Sequence, residues 1–193
     1  MRTHHLASAT VGVALLALTA CGPTNEITTK PDAKGAPPSP TVPAPAAPSK
    51  PAPGKVAAVG DTVTLKGNGD GEQLAVTIKK WADPAQSADD FMKPQDGKRW
   101  VAAQFELVNT GTAVYNDSPS NGTQVADAEG QQFHTTFGEI TAGPAMTSAA
   151  KASPGGKVLG WIVYEVPKDS KIVKVQFAMN SGFASQTGEW IIP

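Results

Sequence analysis

After residue 55 apolar and polar residues alternate with a period of two along most of the chain. Val63 and Leu65 flank Thr64, and Leu74, Val76 and Ile78 fall on one face of the next run. Val101, Ala103, Phe105 and Leu107 share a face against Gln104 and Glu106. Gly160, Ile162, Tyr164 and Val166 lie opposite Trp161 and Glu165, and Val173, Val175, Phe177 and Met179 lie opposite Lys174 and Gln176. Successive side chains of a strand point to opposite sides, so this alternation predicts strands with one buried face. Turn-forming clusters separate them: Gly67 to Gly71, Asn109-Thr110-Gly111, Asn121-Gly122, Ala128-Glu129-Gly130 and Pro167-Lys168-Asp169. Only two stretches suit a helical turn. Asp83-Pro84 leads into Ala85 to Met92 with a capping residue and a proline at the first helical position, and an alanine-rich run spans 145–152. Short strands, frequent turns and no long helical period predict an all-β antiparallel sandwich or barrel over 56–193.

The N-terminus follows a different logic. Arg2, His4 and His5 precede an uncharged, largely apolar run from Leu6 to Ala17, long enough for a signal-peptide core and too short to span a bilayer. Leu18-Thr19-Ala20-Cys21 follows, and this resembles the bacterial lipobox. The resemblance implies a signal peptide over 1–20, cleavage before Cys21, and a diacylglyceryl thioether on that cysteine. Two acyl chains suffice for stable anchoring where one is marginal. Cys21 is the chain's single cysteine, so no intrachain disulfide braces the fold. The expected location is the cell membrane, lipid-anchored and facing outward, with the membrane as one partner through the lipid (palmitate or a similar acyl chain).

Residues 21–55 read as a disordered linker. Ten of the seventeen prolines fall here, among Ala, Thr, Lys, Gly and Ser, with almost no large apolar side chain. Such a segment buries too little surface to offset the entropy of ordering it. Proline stiffens it into a spacer whose reach is at most about 100 Å.

Three runs in the folded part carry a family resemblance. They are Gly97-Lys98-Arg99-Trp100 through Phe105 to Asn109-Thr110-Gly111, then Asp127-Ala128-Glu129-Gly130 to Phe133, then Ser153-Pro154-Gly155-Gly156 leading to Tyr164-Glu165-Val166-Pro167. In that order they resemble the telokin-like domain of unknown function in bacterial surface lipoproteins, which is similar in fold to the immunoprotective extracellular protein of mycobacteria. The resemblance implies an immunoglobulin-like β-sandwich and covers most of 56–193. It brings no catalytic residue, because its motifs are turns and core positions. The Asn116 to Gly122 segment departs from the pattern as a longer loop.

Charge excludes one class of partner. The chain has 16 basic and 17 acidic residues, and residues 56–193 hold 11 against 15, a net charge of −4. Nucleic-acid binding needs a basic surplus, so no nucleic-acid partner is expected. Chemistry is sparse as well. His134 is the one histidine after Cys21, and period two places it on an outer strand face. Ser148-Ala149-Ala150-Lys151 matches a Ser-x-x-Lys nucleophile pattern without its companion motifs. Asn68-Gly69-Asp70-Gly71-Glu72 lacks the ligand spacing of a calcium loop, and Asp70, Glu72, Asp117 or Asp89-Asp90 would form only a weak surface site. Of the methionines after the leader, Met179 reads as core, and Met92 and Met146 are unplaced. No metal, cofactor or enzyme activity is expected.

The candidate binding surface is Trp100 with Trp161, each opposite the main apolar face of its strand. Exposed together they would stack sugars or anchor a partner; alternatively the Asp83 to Gln95 loop covers them. The expected function is therefore a membrane-anchored, non-catalytic binding or interaction module at the cell envelope, with an envelope protein or cell-wall glycan as partner. The alternatives are a metal-handling or enzyme-accessory lipoprotein using acidic loops, and a purely structural envelope protein.

Overall fold

A computed structural model describes residues 56–193, so the Leu18 to Cys21 motif, the signal stretch and the 21–55 linker lie outside the described residues. The described residues form eleven strands, two 3-10 turns and no α-helix. The strands are β1 (Ala57–Ala58), β2 (Thr62–Lys66), β3 (Gln73–Ala82), β4 (Lys98–Asn109), β5 (Tyr115–Asp117), β6 (Thr123–Asp127), β7 (Gln132–Thr136), β8 (Ala150–Ala152), β9 (Lys157–Pro167), β10 (Ile172–Ala178) and β11 (Thr187–Ile191). Nine of them run in the order β1-β11-β10-β6-β7-β9-β4-β3-β2, and β5 pairs with β8 alone. Every pairing is antiparallel except β1 with β11. The fold is the β-sandwich that the alternation predicts, with β7 joining its two halves. β7 meets β9 only at Thr135–Tyr164 and Thr136–Val163.

The alternating apolar residues fill one continuous core. Leu74, Val76, Ile78, Val101, Phe105, Leu107, Tyr164, Phe177 and Trp190 are buried there. Phe105 and Phe177 meet across it with ring centroids 5.7 Å apart and planes tilted by 45°. Two register shifts break the simple period. One lies between Ile78 and Lys80, and the other between Ile172 and Lys174. A bulge inserts one residue and exchanges the faces. Ile172 therefore enters the core, whereas Val173, assigned to the buried face by its spacing, is only half-buried.

Both expected helical turns are absent. Residues 83–97 form an irregular crossing segment, tied by a bridge between Ser87 and Ile140. Ala150–Ala152 is β8, with Ala150 and Ala152 buried and Lys151 exposed. Period two won there because small residues at alternate positions fit against Tyr115 in the core cluster.

The turns are fixed by three polar side chains. Arg99 spends all five guanidinium N–H groups: two on Asp83 at 2.8 Å each, and three on the carbonyls of Pro167, Lys168 and Ser170. Asn109 is buried, donates to the carbonyls of Ala113 and Ala152, and accepts the Gly111 amide. Asp127 accepts the amides of Glu129 and Gln131 and the Ser170 hydroxyl. Burial alone would raise the Asp127 pKa, but the bonds from Ser170 and the turn amides outweigh it and hold the carboxyl below its ordinary value. The Glu72 carboxyl is lowered first by the Asn180 side chain and then by the Gly69 amide.

These depressed carboxyls make the domain acid-sensitive. Each contributes stability that is complete above its unfolded-state value and is lost as pH falls through the lower folded value. The melting temperature is expected to fall between about pH 5 and about pH 2. Asp127→Asn should melt lower than the parent at pH 7 and show a shallower decline in acid. Thermal melts of both chains across that range check this, and equal slopes would remove Asp127 from the account.

Candidate functional site

The two tryptophans proposed as a solvent-facing platform are interior. Trp100 retains 3% of its surface and Trp161 4%. They form a second, smaller core with Ala85, Ala102, Ile140 and Val163 on the outer side of β4 and β9. The cover is the alternative read from the sequence, the 83–95 segment, joined by a second crossing segment around Ile140 that was not foreseen. Backbone bonds from Ala85 to Trp100 at 2.8 Å and from Ala88 to Glu139 at 2.9 Å hold that cover down. The Trp100 indole donates to Glu165 at 3.3 Å. Gly138 makes room for the ring: a Cβ there would stand 2.6 Å from the Trp100 ring. Truncating either tryptophan would empty a packed layer, so neither is a usable probe of surface binding.

Beside this layer lies a cleft of about 490 Å³. It opens where β7 ends. Beyond Thr136 the chain leaves β9, and residues 144–146 take its place: Ala145 bridges Trp161 in parallel, and the Met146 amide donates to the Trp161 carbonyl at 2.7 Å. Gly160 permits that approach, since a Cβ would stand 2.5 Å from the Met146 Cα. Trp161, Ile162 and Met146 line the cleft, with Thr135 and Ser148 adding hydroxyls. Phe137, 91% exposed, and the more exposed of the two unplaced methionines, Met92, stand at its rim. Glu139 is the one charged residue in the lining. The Trp161 Nε1–H is buried without a hydrogen-bond partner among the described residues. An apolar wall with a few hydroxyls suits an apolar group of a ligand, oriented by one or two hydrogen bonds.

The other candidate residues are placed apart from one another. His134 is exposed on the outer face of β7, as its spacing predicts. Ser148 and Lys151 sit on a loop and on β8, so no helical turn sets one over the other. Glu72 accepts from Asn180 and Gly69, and Asp117 accepts from Ser118 and Ser181. Those carboxylates are committed to loop geometry. Among the described residues no three acidic, histidine or cysteine side chains gather within reach of one metal ion. Met179 is core and Met146 is buried. The sequence reading missed the cleft; Gly138 and Gly160, which admit the crossing segments, were the available signal.

A search of curated proteins returns no match. Among solved structures, MPT63, a secreted protein from Mycobacterium tuberculosis, is 15% identical with a TM-score of 0.49, covering 71% of this chain and 96% of its own. The yjhA protein from Bacillus subtilis is 13% identical at 0.49, covering 72% and 100%. The Bacillus subtilis lipoprotein candidate ycdA is 14% identical at 0.48 over 65% of this chain, which spans 38% of that protein's length. Residues 58–187 match a family model across most of the described sandwich, and the chain belongs to that family, the domain of unknown function DUF4352.

Proposed function

We propose that this chain is a lipid-anchored, outward-facing and non-catalytic binding module of the cell envelope, which holds an apolar group of a partner in the cleft between β7 and residues 145–148. The single observation that supports the cleft is its form: about 490 Å³, walled by Trp161, Ile162 and Met146 and rimmed by an exposed Phe137. The anchor rests on Leu18-Thr19-Ala20-Cys21 and the proline-rich spacer that follows. Among the described residues no helix is long and apolar enough to cross a membrane.

The test places a photo-crosslinking phenylalanine analogue at position 137 of the full chain in cells. A crosslinked partner is expected from position 137 and not from Ile191, which is exposed on β11 in the other half of the strand order. Ser148→Trp, which fills the cleft from an exposed loop, should reduce the yield at least about tenfold. Cys21→Ala should release the protein from the membrane fraction and abolish the product. Equal yields from positions 137 and 191, or a yield indifferent to Ser148→Trp, would sink the cleft assignment.

A further inference from the structure

The outer face of the β7-β6-β10-β11 half carries a second, chemically different hollow of about 280 Å³. It is lined by Gln124, His134, Gln176, Ser181 and Thr187, with Phe183 among them. No Asp, Glu, Lys or Arg lines it. Its side chains are oriented by a one-way relay. Gln124 Nε2 donates to Gln176 Oε1 at 2.8 Å, and Gln176 Nε2 donates in turn to the Glu189 carboxylate. Lys174 holds the other carboxylate oxygen at 3.1 Å. The fixed negative end sets the direction of both amides and leaves the Gln124 carbonyl facing no partner among the described residues. His134 makes no side-chain hydrogen bond there either.

The loop beside this hollow is strained and pinned. Asn180 and Ser181 both adopt left-handed backbone, at φ 53° and 54°. Left-handed backbone is disfavoured for residues that carry a Cβ and persists only when the surroundings hold it. The surroundings do so here. The Asn180 side chain accepts the Asn68 amide and donates to Glu72, Ser181 binds Asp117 through both its amide and its hydroxyl, and the Phe183 carbonyl accepts from Asn68 Nδ2. All this anchorage ends in a phenylalanine ring that is 83% exposed. A rigid backbone presenting a bare aromatic ring, next to pre-oriented neutral donors and acceptors, matches a ligand with apolar faces and hydroxyl edges. That is the chemistry of a pyranose.

We propose that this hollow binds a neutral pyranose glycan, one sugar ring stacked on Phe183 and its hydroxyls met by Gln124 and His134. The neutral lining selects against charged polymers, and the planar amides suit vicinal hydroxyls and N-acetyl groups alike. The proposal adds a second surface to the binding-module reading and shares with it only the premise that the domain binds something; Phe137 and Phe183 mark the two sites separately.

The test is saturation-transfer NMR on the full chain in mild detergent, with the tetrasaccharides of β-1,4-linked N-acetylglucosamine and β-1,4-linked glucose as probes. Transfer onto ring protons of at least one probe is expected. Phe183→Ala should weaken that binding at least about tenfold with an unchanged melting temperature. Gln124→Ala should weaken it about fivefold, and serves alone if the first variant misfolds. Phe137→Ala, in the other opening, should leave it unchanged. Absence of transfer from both probes at about 10 mM would overturn the proposal. So would binding indifferent to Phe183→Ala and Gln124→Ala. Loss on Phe137→Ala with retention on Phe183→Ala would move the glycan to the cleft and refute this site while leaving the cleft reading standing.

Discussion

Trp190→Ala is expected to cost about 4 kcal/mol of stability and to lower the melting temperature by about 12–15 °C. Trp190 is fully buried on β11, paired across to Val175 and, on its other side, to Ala57. Its ring fills the place a side chain at Gly188 would take, since a Cβ there would stand 2.7 Å from it. Its Nε1–H donates to the Asp61 carbonyl at 3.0 Å. The residue therefore joins the last strand to the turn between the first two. Alanine leaves a cavity the size of an indole among strands too rigid to collapse into it, and strips the Asp61 carbonyl of its donor. Trp190→Phe separates these effects: it keeps most of the packing and loses the hydrogen bond, at about 1–2 kcal/mol. Circular-dichroism melts read both, and a loss below about 2 kcal/mol for the alanine variant would show that the seam repacks.

Asn109→Leu is expected to cost about 3 kcal/mol, although leucine is similar in size and suits a buried site. The reason is what Asn109 serves. Its amide nitrogen satisfies two carbonyls at 2.8 and 2.9 Å, and its oxygen takes the Gly111 amide at 3.0 Å. Its own backbone accepts from Gly155 and donates to Gly156. Three loops thus converge on one residue, and leucine would strip the Ala113 and Ala152 carbonyls of the two Asn109 N–H donors and leave the Gly111 amide with the Gln73 carbonyl alone. Urea unfolding measures the loss. Asn109→Asp should fare little better, because a carboxylate has no donor for the two carbonyls. A variant within about 1 kcal/mol of the parent would show that the three loops hold one another without it.

The frame of the fold was legible because the physics that writes it is local. Alternation in the stretches around Leu74, Phe105 and Tyr164 locates β3, β4 and β9, and all five turn clusters fall at strand ends or in the 3-10 turn Pro119–Gly122. What failed was phase and cover. Nothing in the order of Ile172-Val173-Lys174 announces a bulge, because a bulge is decided by the partner strand. Trp100 and Trp161 read as outward, which is correct for their strands; whether outward means solvent depends on which distant segment lies over them. The hub at Arg99 was invisible for the same reason, since three of its five partners are carbonyls some seventy positions downstream. Of the candidate site, Cys21 lies outside the described residues, the two tryptophans are interior packing, and the cleft and the hollow arise from crossings no periodicity encodes. Phe183, in a short polar stretch, gave no pattern to read.

The sheet begins with β1 against β11 and ends with β2 against β3, and only residues 59–61 separate β1 from β2. The first dozen described residues therefore clasp both margins of the sandwich, one of them through the final strand. This has a kinetic consequence. Closing the margin at β11 brings together positions separated by about 130 residues, the kind of distant pairing that slows folding. Because synthesis delivers the N-terminal side first, the clasp stays open until Trp190 has been made and released. Until then β10 presents an unpaired edge and β1 has no partner, the state in which β-proteins associate wrongly. Loss of the last few residues would thus leave a nearly complete sandwich with a permanently open side, a species suited to aggregation more than to unfolding.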